Sequence, residues 1–250
     1  MRRLLIILAF ALTGIAAGAH PAERITYSLC FKWGAVQTEV GRAAYVTRSA
    51  DIKGQEAIYS TIEGKTAPFF DAFYKIREKF ESWMLVDGML PVEYRRDTYE
   101  NGYIADNHYV YDWPGKVIHA NVKFGDKPRK ELDIPLEKGV YDLPAMLPYL
   151  RSIDYAAQAR GSTKVVKVAI DDDVFSIRIR FIGPEVVKVR KKGAMDSYKI
   201  AISLVAGAIF DEGKELSVWM SADEKKVPLA LMVPLKVGTV RAWFQDYSYE

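Results

Sequence analysis

The chain has 250 residues, half of them hydrophobic, with 35 Lys and Arg against 32 Asp and Glu. A core of that size suits one large domain or two small ones. The near-balance of charge argues against a dedicated nucleic-acid binder, which would carry a larger or more clustered basic excess.

Arg2 and Arg3 precede a short apolar run, Leu4 to Leu12. That run is well short of the ~20 residues that span a bilayer. Ala17-Gly18-Ala19 completes a small-x-small cleavage pattern. The expectation is a secretory signal peptide over 1–19 and a mature chain from His20. Without Arg2 and Arg3 the mature chain holds 33 basic and 32 acidic residues. No later apolar run is long enough for a second span. Cys30 is the only cysteine, so no intrachain disulfide forms.

From Ile25 onward the hydrophobic period is two. Ile25, Tyr27, Leu29, Phe31 and Trp33 alternate with polar neighbours, which predicts a strand ended by Gly34. Val36 to Thr47 reads as its antiparallel partner, and Ala57 to Ile62 as a third strand. Pro68 to Tyr74 opens a short helix. From Lys75 a strand is expected, with a helix through Trp83 as the competing reading. Asn101-Gly102 supplies the two positive-φ positions of a type I′ turn, so Val92–Tyr99 and Tyr103–Tyr111 form a hairpin. Asp142 is expected to cap a helix over about Leu143 to Arg151, with Pro144 in its first turn and Pro148 inside it. Strands resume after Gly161 and continue to Gln245. This is a mainly β class: an antiparallel curved sheet, or a flattened or open barrel, with a short central helix. Residues 20–250 read as a single β-rich domain, with 142–162 as the place where two halves would meet.

Candidate chemistry is sparse. His20 at a mature N-terminus could chelate copper with His108 or His119, but a disordered tail is the simpler reading. Asp171-Asp172-Asp173 and Asp211-Glu212-Gly213 read as solvated turns rather than calcium loops. Glu93, Asp97, Asp106 and Asp112 lie among tyrosines and Trp113, a composition that also suits sugar stacking. Lys188, Arg190, Lys191 and Lys192 form the densest basic run, read as the guard of an edge strand. No nucleophile elbow, phosphate loop or zinc spacing is present. No catalytic residue, metal or cofactor is therefore expected.

The last third runs Glu215 to Asp223, then Val227-Pro228-Leu229, then Val237-Gly238-Thr239-Val240-Arg241-Ala242. This resembles the closing segment of an exported family, domain of unknown function 3108. Glu23 to Tyr27, Tyr74 to Arg77, Pro91 to Glu100, and Asp142-Leu143 with Tyr149 to Arg151 resemble its earlier segments in order. Pro144 departs from the small residue expected there. The resemblance implies a β-rich protein of the cell envelope, in a Gram-negative periplasm, and carries no catalytic residues. A looser, architectural similarity is to periplasmic lipoprotein carriers and capsule-export lipoproteins. Within the closing segment, Trp219, Asp223, Pro228 and Gly238 have a structural reading: a buried ring, a turn acceptor, a strand start and a tight turn.

Three functions stay open on the sequence. The first is a non-enzymatic carrier whose concave sheet holds an apolar or lipid-linked ligand, with the Leu143–Arg151 helix as a lid. The second is a scaffold that binds an envelope protein and has a filled interior. The third is an enzyme acting on envelope glycans. A ligand-sized groove between sheet and helix separates the first from the second.

Overall fold

The structure, a computed structural model, describes residues 22–204, 215–235 and 237–249. The first half holds β1 (Glu23–Trp33), β2 (Val36–Ile52), β3 (Gln55–Thr66), β4 (Ile76–Leu85), β5 (Leu90–Glu100), β6 (Tyr103–Asp112), β7 (Val117–Phe124) and β8 (Lys130–Pro135). The second holds β9 (Val140–Tyr141), β10 (Thr163–Ile170), β11 (Asp173–Val189), β12 (Gly193–Leu204), β13 (Leu216–Ser221), β14 (Pro228–Pro234) and β15 (Thr239–Tyr249). Two short helices, α1 (Pro68–Asp71) and α2 (Met146–Ser152), interrupt them.

All fifteen strands belong to one sheet, in the order β8-β7-β6-β5-β4-β3-β2-β1-β15-β14-β13-β12-β11-β10-β9. Each half is a meander, and the pairing of β1 with β15 joins them. Every pair is antiparallel except β9 with β10. The two edge strands, β8 and β9, are consecutive in the chain and separated only by residues 136–139. A connection that short spans at most ~18 Å, so the sheet must curl until its edges approach. The edges do not pair, and the result is an open, barrel-like cylinder. Both edges are guarded: β8 exposes Lys130, Glu131 and Asp133, and β9 has only two residues.

Strand direction gives the cylinder two rims. The β1–β2, β3–β4, β5–β6, β7–β8 and β14–β15 connections share the rim at Trp33. The opposite rim holds Glu23, the β2–β3 turn and the β13–β14 turn. The β5–β6 turn has φ of 46° at Asn101 and 97° at Gly102, the two positive values a type I′ turn requires.

From Lys75 the chain is strand and not helix: β4 begins at Ile76, and Phe80, Ser82 and Met84 all bury on one face. The central helix departs from expectation. It begins at Met146, three residues later than the caps indicated. Asp142 Oδ1 instead accepts from the Ala145 N–H, at 3.0 Å, and so organises the turn before the helix. Pro148 then falls in the first turn, where a missing N–H costs nothing. Nor is α2 a loose lid. Met146 and Leu150 are buried inside the cylinder, and Arg151 pairs with Glu23 at the rim.

The basic run also differs. It ends the β11–β12 hairpin, which is no edge. β11 shifts register between Phe181 and Gly183, where φ is 116°, and its second half leaves the cylinder wall. Val187 and Val189 then pack on Trp219, Leu229 and Ala230. Trp219 faces away from Val218 and Met220, which belong to the interior, so this arm covers the outer face of β13–β15. Arg190 reaches Glu39 at 2.6 Å and Cys30 Sγ at 3.8 Å.

Candidate functional site: an apolar cavity inside the cylinder

The interior has two chemically different parts. Facing β2–β7 it is lined by tyrosines and small polar residues. Tyr94, Tyr109 and Tyr111 are buried there with Ser60, Ser82, Thr98 and Asn107. Asp142, fully buried, accepts from Ser82 Oγ at 2.9 Å and from the Tyr111 hydroxyl at 3.3 Å. Burial pushes its carboxyl up to about 7, against these donors and the Ala145 N–H. The Tyr45 hydroxyl donates to Ser60 Oγ, and Tyr109 donates to the carbonyl of Asp171. Arg96 pairs with the Asp171 carboxylate and donates to Thr98. Asp172 and Asp173 are exposed turn charges as expected, but Asp171, though its side chain is 38% exposed, is paired. It ties the β10–β11 turn to the interior of the other half.

Facing β10–β14 the interior is hydrocarbon: Val166, Val168, Ile177, Ile179, Ile200, Ile202, Val218 and Met220. Between this wall, β1–β3 and α2 lies a cavity of about 360 Å³. Met146, Leu147 and Leu150 of α2 form one side. Its other walls include Ile62, Val168, Ile177, Leu231 and Ala242. Toward the Trp33 rim it ends at Ile170, Ser203 and Leu216. The Tyr27 ring also lines it, and the Tyr27 hydroxyl is buried without a hydrogen-bond partner. Such a cavity suits water poorly, because a bound water needs two to four polar partners. It falls at the small end of ligand-binding volumes, ~300–1,000 Å³.

At the Glu23 rim α2 is anchored to the wall, beside a hollow of about 470 Å³ lined by Glu23, Thr47, Pro148 and Arg151. Arg151 Nη1 lies 2.5 Å from Glu23 Oε2, and its Nε donates to the Lys225 carbonyl. Tyr247 and Thr47 donate to the same Glu23 carboxylate. Burial opposes the Glu23 charge, but these hydrogen bonds outweigh it and hold its pKa below the ordinary value.

A larger groove, about 810 Å³, is lined by Arg42, Glu63, Lys65, Lys79, Asp97 and neighbours. These residues alternate with the inward Ile62 and Phe80, so the groove is on the outer face. Several of its cations have partners of their own: Arg77 pairs with Asp71, Lys79 with Glu81, and Arg42 with Glu39. It brings together no nucleophile and base.

The sequence-derived candidates scatter. His20 and Asp211-Glu212-Gly213 lie outside the described residues. His108 bonds Glu93 and His119 bonds Asp133, both on the outer surface. Among the described residues no group of three His, Cys, Asp or Glu is placed to hold a metal. Asp106 pairs with Arg129, Asp112 accepts from the Gly115 N–H, and Asp97 lines the outer groove. Cys30 is buried beneath the arm. The four residues of the closing segment hold structure together. Trp219 is buried, and its Nε1–H donates to Glu185 Oε1 at 3.0 Å. Asp223 accepts from Ser221 Oγ and the Lys226 N–H. Pro228 begins β14. Gly238 has φ of 76°, and a Cβ there would sit 2.5 Å from the Lys32 carbonyl oxygen. Sequence reasoning missed the Asp142–Ser82 and Asp171–Arg96 contacts, which join residues 60 and 75 positions apart. No local pattern could have shown them.

Among solved structures, the chain is similar to a β-barrel-like protein of domain of unknown function DUF1849 from Brucella abortus. The TM-score is 0.57 at 11% identity, covering 92% of this chain and 98% of that one. At that identity the likeness shows the fold alone. No curated protein sequence matches this one. A family model, "Protein of unknown function (DUF3108)", matches residues 24–245, and the chain therefore belongs to the DUF3108 family.

Proposed function

We propose that this protein is an exported, non-enzymatic carrier of the cell envelope that holds an apolar or lipid-linked ligand in the cavity beside α2. The observation that carries this reading is the cavity itself: about 360 Å³ walled by Leu, Ile, Val and Met side chains within a domain otherwise able to pack. A scaffold needing only its outer surface would gain stability by filling that space, since contacts are forfeited around a void. The Arg2–Arg3 start, the Leu4–Leu12 run and Ala17-Gly18-Ala19 support export. The chemistry of the walls selects hydrocarbon, and the Tyr27 hydroxyl offers one polar contact to an ester, amide or hydroxyl on the ligand.

The test is native mass spectrometry of protein purified from its own envelope, with uptake of an apolar naphthylamine dye as the second readout. Bound mass, and dye uptake displaced by a fatty acyl compound, are expected. Ala242→Phe places a ring in the cavity and should cost ~1–3 kcal/mol of stability while abolishing both signals. A wild-type protein with no bound mass and no dye uptake would leave the filled scaffold as the better reading.

A further inference from the structure

The large apolar residues that the described chain leaves exposed are unevenly placed. At the Trp33 rim, Trp33 is 67% exposed, Phe69 71% and Phe73 68%. Val36, Tyr74, Tyr103, Leu235 and Val237 are exposed on the same set of connections. Toward the opposite rim, among the described residues, the exposed ones of this kind are fewer and not aromatic apart from Tyr249: Val86, Tyr249, and Val110 and Val165 near the ends of β6 and β10. The asymmetry is not an accident of one loop. Four separate hairpins contribute, and they are consecutive along the sheet from β14–β15 through β1–β2 and β3–β4 to β5–β6.

These side chains are held out on firm supports. Phe69 packs edge-on against Phe70, with centroids 5.2 Å apart, and against Phe73 at 5.6 Å. The connection that carries them is braced at its base, where Arg77 pairs with Asp71 and Thr66 donates to the same carboxylate. Tyr74 donates to Glu100 at 2.7 Å, which links it to the next hairpin. The chain therefore forgoes burying Phe69 and Phe73 while fixing the backbone beneath them. Exposed aromatic clusters of this kind mark contact surfaces.

We infer that the Trp33 rim is a membrane-docking surface, and that its partner is a phospholipid bilayer. Two features select a bilayer over a protein. First, the rings are mixed with lysines: Lys32, Lys65, Lys75, Lys123 and Lys127 flank them. Of the acids described there, Asp71 is paired with Arg77 and Glu100 accepts from the Tyr74 hydroxyl, while Asp126 and, on the β10–β11 turn, Asp172 and Asp173 are exposed. Aromatic rings at the headgroup level with lysines toward lipid phosphate are the interfacial pattern. The near-zero net charge of the chain conceals this local arrangement, in which the rings rather than long-range attraction supply most of the binding. Second, the lining of the apolar cavity reaches the strand ends on this side, at Ile170, Ser203 and Leu216, while on the other side α2 is anchored by Arg151 to Glu23. Docked this way, the end of the cavity at Ile170, Ser203 and Leu216 is the one nearest the bilayer. The inference deepens the carrier reading and rests on it for the meaning of the docking, but the docking itself is measured separately.

The experiment is flotation of the full mature protein with vesicles of phosphatidylethanolamine and phosphatidylglycerol, with Trp33→Ser and Phe69→Ser/Phe73→Ser variants. These side chains are exposed, so thermal unfolding should be unchanged, which separates docking from misfolding. Wild type should float, and each variant should lose about tenfold or more of its binding. Dye uptake by the cavity should be unchanged in both. Conversely, Ala242→Phe should lose dye uptake and still float, so failure of the carrier reading and failure of docking are distinguishable. Wild type that does not float, or variants that float equally well, would overturn the inference. So would a rim-dependent dimer without vesicle binding, which would assign the rings to a second copy of the chain.

Discussion

The two parts of the interior solve the same problem in opposite ways. The first half faces its sheet with tyrosines, whose rings fill space and whose hydroxyls reach Asp142, Asp171 and Ser60. The second half uses branched aliphatics, which pack well against one another but cannot reach across the cylinder. A curled sheet leaves its centre distant from every wall. Long aromatic side chains close that distance on one side, and α2 closes it only partly on the other. The cavity lies where neither suffices. Hydrogen bonding makes the first half specific, and packing leaves the second half adaptable.

The largest effect is expected on the outer face of the second half, where packing is complete. Trp219→Ala removes a buried ring between the sheet and the arm, and with it the bond to Glu185. It should destabilise by about 3–5 kcal/mol in urea unfolding. A cost below about 1 kcal/mol would show that the arm adds little to the fold.

In the polar half, Asp142→Ala leaves Ser82 and Tyr111 without their acceptor and should cost about 1–3 kcal/mol. Asp142 also gives a pH signature. Its native pKa, about 7, is above its unfolded value. The native state therefore holds the proton more tightly, and this group's contribution falls as pH rises from ~4 to about 7. It is fully present below the unfolded pKa and lost above the native one. Asp142→Asn keeps an acceptor and cannot ionise. Its stability relative to wild type should rise across that window, and a flat difference would show the carboxyl to be hydrated.

The smallest effect expected is that of Tyr109→Phe, which deletes one hydroxyl donating to the Asp171 carbonyl. About 1 kcal/mol should be lost, with dye uptake by the cavity unchanged. A larger loss, or a changed uptake, would mean that the two halves are coupled through the Asp171 turn.

Period-two alternation made most strands legible, because a strand with one buried face writes that face into every second residue. The Asn101-Gly102 turn was legible for a different reason, because few residues other than Asn and Gly accept the positive φ that a type I′ turn needs. The helix start was misread because Asp142 and Pro144 carry a capping signature, but the carboxylate is spent on a turn and on Ser82. The cavity was not legible in the sequence, because its aliphatic walls come from strands and a helix far apart in the chain. Trp219 and Trp243 turn out to face the arm, a second layer that no local pattern announces.

By itself the sequence determined the class of fold, most of the strands and the family, since these rest on alternation, turn chemistry and ordered motifs. Tertiary structure alone decided that β1 closes against β15, that the arm folds over Trp219, and that Arg96 meets Asp171. Each of these joins residues far apart in the chain, and the energy that selects them exists only once the sheet has curled.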